Sequence, residues 1–167
     1  MRYGLMSNFR RSWSKKGERS VLPQQQHFQN SYLYSALNPI EANSFHLIGL
    51  EDMDTVTELI FLTELKKQHP DKEVIVVMDN APSHRPQILH KIVGLTIVYL
   101  PPYSPELNPV ERFFEELRKS TANKIFKNLK CIEKTIGQKV KQLSLDTEAL
   151  KQLIGYPWIL KQVMGVN

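Results

Sequence analysis

The chain has 167 residues, 41% hydrophobic and 23% charged, with a formal net charge of +5. That length and composition suit one globular domain with its own core and exclude wholesale disorder. The single cysteine, Cys131, excludes an internal disulfide and fits a reducing, cytoplasmic setting; no Cys/His cluster has zinc spacing, and no apolar run is long enough for a membrane span or a signal-peptide core.

Residues 1–26 are basic and read as irregular: Arg2, Arg10, Arg11, Lys15, Lys16 and Arg19 face one acid, Glu18. Such a run is either a solvated loop or a surface for a nucleic-acid backbone. Trp13 within it is expected to pack on the domain. Aromatic content predicts a strand over 30–37, Asn38-Pro39 a turn, and 44–50 a second strand that closes a hairpin. A helix is expected from Asp54 or Thr55 to about Gln68, with Val56, Leu59, Ile60, Thr63 and Leu65 as an imperfect core face and His69-Pro70-Asp71 as its stop. Six acids and no Lys or Arg lie between Glu41 and Glu64, so this region is expected to face away from any polyanion. Asp52 and Asp54 read as helix-start acids complementing the dipole.

The β-branched run 73–78 predicts a strand buried on both faces, followed directly by Asp79-Asn80-Ala81-Pro82-Ser83-His84. In open α/β sheets ligands gather at the carboxyl ends of strands; alternatively such an Asp only caps a turn. A helix is expected over 83–93 and another short buried strand over 95–100. Pro101, Pro102 and Pro105 then force a rigid extended loop. Asn108-Pro109-Val110-Glu111 reads as a helix start, with Asn108 as N-cap and Pro109 at the first helical position. Val110, Phe113, Phe114 and Leu117 form its buried stripe, leaving Glu111 at the stripe's edge. Glu111 therefore has two readings, a capping-box residue satisfying a backbone donor or a carboxylate delivered to a cleft. Residues 118–141 carry eight basic side chains against Glu133 alone, spanning the end of this helix and a further one over about 132–143. Residues 146–162 read as one more helix, interrupted at Gly155-Tyr156-Pro157.

Val77-Met78-Asp79-Asn80-Ala81-Pro82-Ser83-His84 and Leu100-Pro101-Pro102-Tyr103-Ser104-Pro105-Glu106-Leu107-Asn108-Pro109-Val110-Glu111 resemble the second and third acidic motifs of DDE transposases, in the mariner superfamily and its bacterial insertion-sequence relatives. Trp13-Ser14-Lys15-Lys16-Gly17-Glu18-Arg19 is similar to the segment that follows the first acidic motif there. The resemblance covers about residues 1–125. It implies an RNase H-like α/β fold, a mixed sheet flanked by helices, as the catalytic core over 1–125, with 126–167 as a helical extension packed on it. It also implies phosphoryl transfer on double-stranded DNA, transposon ends and target, with two Mg2+ or Mn2+ ions. On this resemblance Asp79 and Glu111 are the catalytic metal ligands, while Asn80, His84, Pro101, Pro102 and Asn108 shape the site. Arg10, Arg11, Lys15, Lys16, Arg118, Lys119, Lys124 and Lys127 are the candidate DNA contacts. The implied setting is cytoplasmic, nucleoid-associated and bacterial, without a membrane, and the intact protein is expected to be a homo-oligomer.

The family uses three acidic ligands, and this chain shows two in the expected places. The first aspartate would fall just before the stretch that Met1-Arg2-Tyr3-Gly4-Leu5 resembles. The sequence therefore predicts a truncated transposase domain lacking its first strand, inactive alone, marginally stable and prone to associate. The alternatives are a non-catalytic DNA-binding or inhibitory fragment, and an RNase H-like nuclease.

Overall fold

The computed structural model describes residues 1–80 and 86–164. Three strands form an antiparallel sheet in the order β1 (Arg2–Gly4), β2 (Asn30–Asn38), β3 (Asn43–Leu50). The expected hairpin is present. Its turn is held by the Asn38 carboxamide, which accepts from the backbone N–H groups of Ile40 (2.9 Å) and Glu41 (3.2 Å), while Ala42 takes a left-handed φ of 51°. Within the region expected to be irregular, Arg2–Gly4 is a strand, paired Arg2 with Tyr32 and Gly4 with Asn30. It escapes sequence reading because three residues carry no measurable alternation.

Strand alternation makes β2 the divider between two cores. Leu33 and Leu37 point to one side, Tyr34 and Ala36 to the other. The second side is covered by α1 (Thr55–Lys67), capped by Asp54, whose carboxylate accepts from Thr57 N–H at 2.8 Å while Thr57 Oγ1 accepts from Asp54 N–H. The buried face of α1 is Glu58, Phe61, Leu62 and Leu65, an i, i+3, i+4, i+7 stripe. The expected face was rotated from this one: Val56 and Ile60 are exposed.

β4 (Val74–Met78) runs parallel to β5 (Leu95–Tyr99), from Val74 opposite Leu95 to Met78 opposite Tyr99. Val74, Val76, Met78, Leu95, Ile97 and Tyr99 pack with Phe61 and Leu62 of α1 and with Tyr34, Ala36, Phe45 and Leu47 of the hairpin, so both ladders share one apolar layer. The other face of β4 and β5 is open: Ile75 is 68% exposed, and Val77 and Val98 are also exposed. The expected two-sided burial fails because α1 covers one face only, and continuous β-branched runs read the same way whether one face or two is covered. Between these strands the expected helix is reduced, among the described residues, to a 3-10 segment Gln87–Lys91 that buries Leu89.

The first side of β2 carries α2 (Pro109–Thr121), α3 (Leu129–Leu145) and α4 (Thr147–Ile154). Phe113, Phe114 and Leu117 meet Ile132, Ile136, Leu143, Leu150 and Ile154 there, together with Met1, Tyr3, Leu5 and Leu33. α5 (Pro157–Met164) follows the break at Gly155 and Tyr156.

Candidate active site

The carboxyl ends of β4 and β5 are tied together. Leu100 N–H donates to Met78 C=O at 2.8 Å, continuing the ladder one step beyond Tyr99. Asp79 therefore leaves the sheet alongside the start of the Pro101-Pro102 loop. That loop turns on Tyr103, which has φ 59° and is fully exposed, and its Ser104 hydroxyl donates to Pro102 C=O at 3.3 Å. A 3-10 turn, Pro105–Leu107, then feeds α2, whose first N–H groups are capped by Asn108: its Oδ1 accepts from Val110 N–H at 3.2 Å.

The capping-box reading of Glu111 does not hold. The Asn108 N–H that such a glutamate would satisfy already donates to Pro105 C=O at 3.0 Å. Glu111 instead points its carboxylate toward Arg118, with Oε2 3.7 Å from Nη1 and the side chain 42% exposed. Asn108→Ala is expected to cost about 1 kcal/mol by loss of the cap, measured by urea denaturation.

The Met1 backbone nitrogen is buried and donates to Leu33 C=O at 2.6 Å. Glu111, Arg118 and Asp79 all act on it electrostatically, so the start of β1 lies in the field of both carboxylates. Glu58 lies in the field of Asp79. It is 2% exposed, and burial, then the charge of Asp79, raises its pKa to about 7.

Asp79 follows the end of β4 beside the Pro101-Pro102 loop, Asn108 caps α2 and Glu111 stands in its first turn, with Asn80 half-buried after Asp79. His84 lies outside the described residues. Asp54 caps α1 and Asp52 is exposed near the same helix start, as expected. Among the candidate DNA contacts, Arg10 pairs with Glu115 (2.6 Å), Arg118 with Glu111 and Glu115, Lys119 with Glu116, and Lys124 donates to Ser120 C=O (2.7 Å). Arg11, Lys15, Lys16 and Lys127 are exposed. Glu58 escaped sequence reading because it was grouped with acids expected to face outward. The signal was present: Glu58, Phe61, Leu62 and Leu65 make a better helical stripe than the expected one, with a carboxylate at an apolar position.

Asp79 and Glu111 supply oxygen donors, the type a hard divalent cation takes. Among the described residues no three of His, Cys, Asp and Glu gather tightly enough to hold a metal ion. Carboxylate oxygens are the donor type that Mg2+ takes alongside water and phosphate oxygens.

An antiparallel and a parallel ladder sharing one apolar layer, with helices packed on them, make an RNase H-like α/β fold. The chain belongs to the family described as DDE superfamily endonuclease, whose profile matches residues 2–133. It is 31% identical over 100 residues to the uncharacterized protein y4pE/y4sA of Sinorhizobium fredii, a match covering 59% of this chain and 73% of that one. Its fold is similar to the chains in the Mos1 transposase paired-end complex with left transposon end (TM-score 0.60, 14% identity) and the Mos1 strand transfer complex (0.61, 15%). Each match covers 93% of this chain and 53% of the other, so the chain spans about half the length of those transposases. No helix among the described residues is long and apolar enough to cross a membrane.

Proposed function

We propose that this chain is the catalytic domain of a DDE transposase, with its core over 1–125 and a helical extension over 126–167. It acts on double-stranded DNA, the ends of a mobile element and its target, in the bacterial cytoplasm near the nucleoid, and as a homo-oligomer when intact. Asp79 after a strand end and Glu111 at a helix start, both acting electrostatically on the Met1 nitrogen, support this reading. The two carboxylates would hold a pair of Mg2+ or Mn2+ ions, which when bound polarise the scissile phosphate and activate the attacking oxygen. The chain's own part is placement. The β4–β5 ladder fixes Asp79, and the Asn108 cap with the proline loop fixes Glu111. Arg118 neutralises Glu111 until a ligand takes that carboxylate. Asn80 shapes the rim.

Two carboxylates are one fewer than the family set, so the chain alone is expected to bind DNA without cutting it efficiently. The test compares it with a version extended ahead of Met1 by a strand bearing one aspartate. The extended protein is expected to nick DNA in Mg2+, and Asp79→Ala to abolish nicking. An extended protein that binds DNA and never cuts it counts against the reading and favours a non-catalytic binding fragment. Cutting without joining a 3′-hydroxyl end to target DNA favours a nuclease.

DNA binding by the 167-residue chain is expected to be electrostatic and indifferent to sequence. With about four phosphate contacts, affinity should fall on the order of a hundredfold between about 50 and 200 mM salt, in filter-binding or anisotropy titrations. Affinity unchanged across that range contradicts the expectation.

A further inference from the structure

Residues between β1 and β2 form an arm with a built base and a bare tip. At the base, Ser7 N–H donates to Gln25 C=O (3.0 Å) and Gln25 N–H to Ser7 Oγ (2.6 Å). Two side-chain amides clamp it to the α2–α3 connection. Asn123 accepts from Arg10 N–H (2.8 Å) and donates to Arg10 C=O (3.0 Å). Gln25 donates to Phe126 C=O (2.9 Å) and accepts from Phe126 N–H (3.2 Å). The Arg10–Glu115 ion pair adds a third attachment. Further out, the Ser12 and Ser20 hydroxyls meet at 2.8 Å, and the chain reverses through Glu18 N–H to Lys15 C=O (3.0 Å) with Gly17 at φ +90°.

Trp13 sits on this arm and is 103% exposed, where packing on the domain was expected. It is surrounded in sequence by Arg11, Lys15, Lys16 and Arg19, all exposed, with Glu18 as the only acid. An indole left in water forgoes the burial that usually places it. Here an arm fastened at three points holds it out among cations.

We propose that this arm is a second DNA contact, with Trp13 stacking on an unpaired base while Arg11, Lys15, Lys16 and Arg19 neutralise the flanking phosphates. The inference rests on the transposase reading and adds a contact to it. An unpaired base is favoured over an intact step because inserting a ring into a duplex must first unstack it. The geometry also bounds the position. Arg10 is anchored to Glu115, one helical turn (about 6 Å) from Glu111, and Arg10 to Trp13 spans at most about 10 Å of extended chain. The Arg10–Glu115 pair therefore fastens the base of the arm beside the first turns of α2, the helix that carries Glu111.

The test uses the full chain with Trp158→Phe, leaving Trp13 as its one tryptophan. Fluorescence is followed during titration with a blunt duplex and with the same duplex carrying a short single-stranded overhang. The overhang is expected to quench Trp13 more than the blunt duplex does. Trp13→Ala is expected to weaken overhang binding about tenfold and leave blunt-duplex binding unchanged. Overhang binding by Trp13→Ala as tight as by the chain with Trp13, or Trp13 unquenched by bound overhang, overturns the inference while leaving the transposase reading intact. Quenching that tracks protein concentration without DNA assigns the arm to a second copy of this chain and also overturns it. Absence of binding to either DNA removes the transposase reading, and this inference with it.

Discussion

Phe113→Ala is expected to lower stability by about 3–5 kcal/mol, a fifth or more of the roughly 5–15 kcal/mol a typical domain has. Phe113 has no exposed surface. Its ring stacks on His46 at 5.0 Å with the planes 11° apart and meets Phe114 edge-on at 6.5 Å. It joins α2 to the hairpin, so its removal opens a cavity between these two elements. The residue also lies half a turn from Glu111, and the same substitution should loosen the carboxylate's setting. Urea denaturation measures the loss, with Val93→Ala as a control expected within about 0.5 kcal/mol because Val93 is 90% exposed. A loss below about 1 kcal/mol for Phe113→Ala would mean that α2 is not seated as described.

His46 gives the fold a dependence on pH. Its ring is buried between Ser35 Oγ (2.9 Å), Ser144 Oγ (3.3 Å) and Phe113, and burial lowers its pKa to about 4. The unfolded chain binds that proton near pH 6.5. Between these values the unfolded state takes up a proton that the folded state refuses. Stability from this group is therefore complete above about pH 6.5, declines as pH falls, and levels off below about 4. The decline between about pH 7 and pH 5 should be about 2 kcal/mol. His46→Gln should flatten that part of the stability curve, and an unchanged slope in His46→Gln would show that other groups cause it.

Features encoded in contiguous residues were legible in the sequence. The Asn108 cap, Pro109 at the helix start and the Phe113, Phe114 and Leu117 stripe appear where short-range rules put them. The strand ending at Asp79 and its parallel neighbour were equally clear. Features set by distant partners were not. Whether β4 is covered on one face or two depends on what packs above it, and Ile75 and Val77 look the same in either case. Trp13 was expected to pack because tryptophans usually do, but the Asn123 and Gln25 clamps lie more than 100 residues away from their partners Arg10 and Phe126. Glu58 shows the same limit: its charge suggested solvent, and only the packing of α1 over β4 turns it toward Asp79. For the proposed site, both carboxylates were singled out from local context. The choice between cap and cleft for Glu111 required knowing that Pro105 C=O occupies the Asn108 N–H.

The central claim is that Asp79 and Glu111 form one cation site. Mn2+ titration of the 167-residue chain, followed by electron paramagnetic resonance of the free ion, tests this without depending on DNA cleavage. The chain is expected to bind Mn2+, and Asp79→Asn and Glu111→Gln are each expected to weaken binding by at least the roughly tenfold seen even for residues that only support metal ligands. Glu106→Gln, exposed in the 3-10 turn before α2, should leave binding unchanged. Mn2+ affinity that is the same in Asp79→Asn, Glu111→Gln and the unaltered chain would contradict the account.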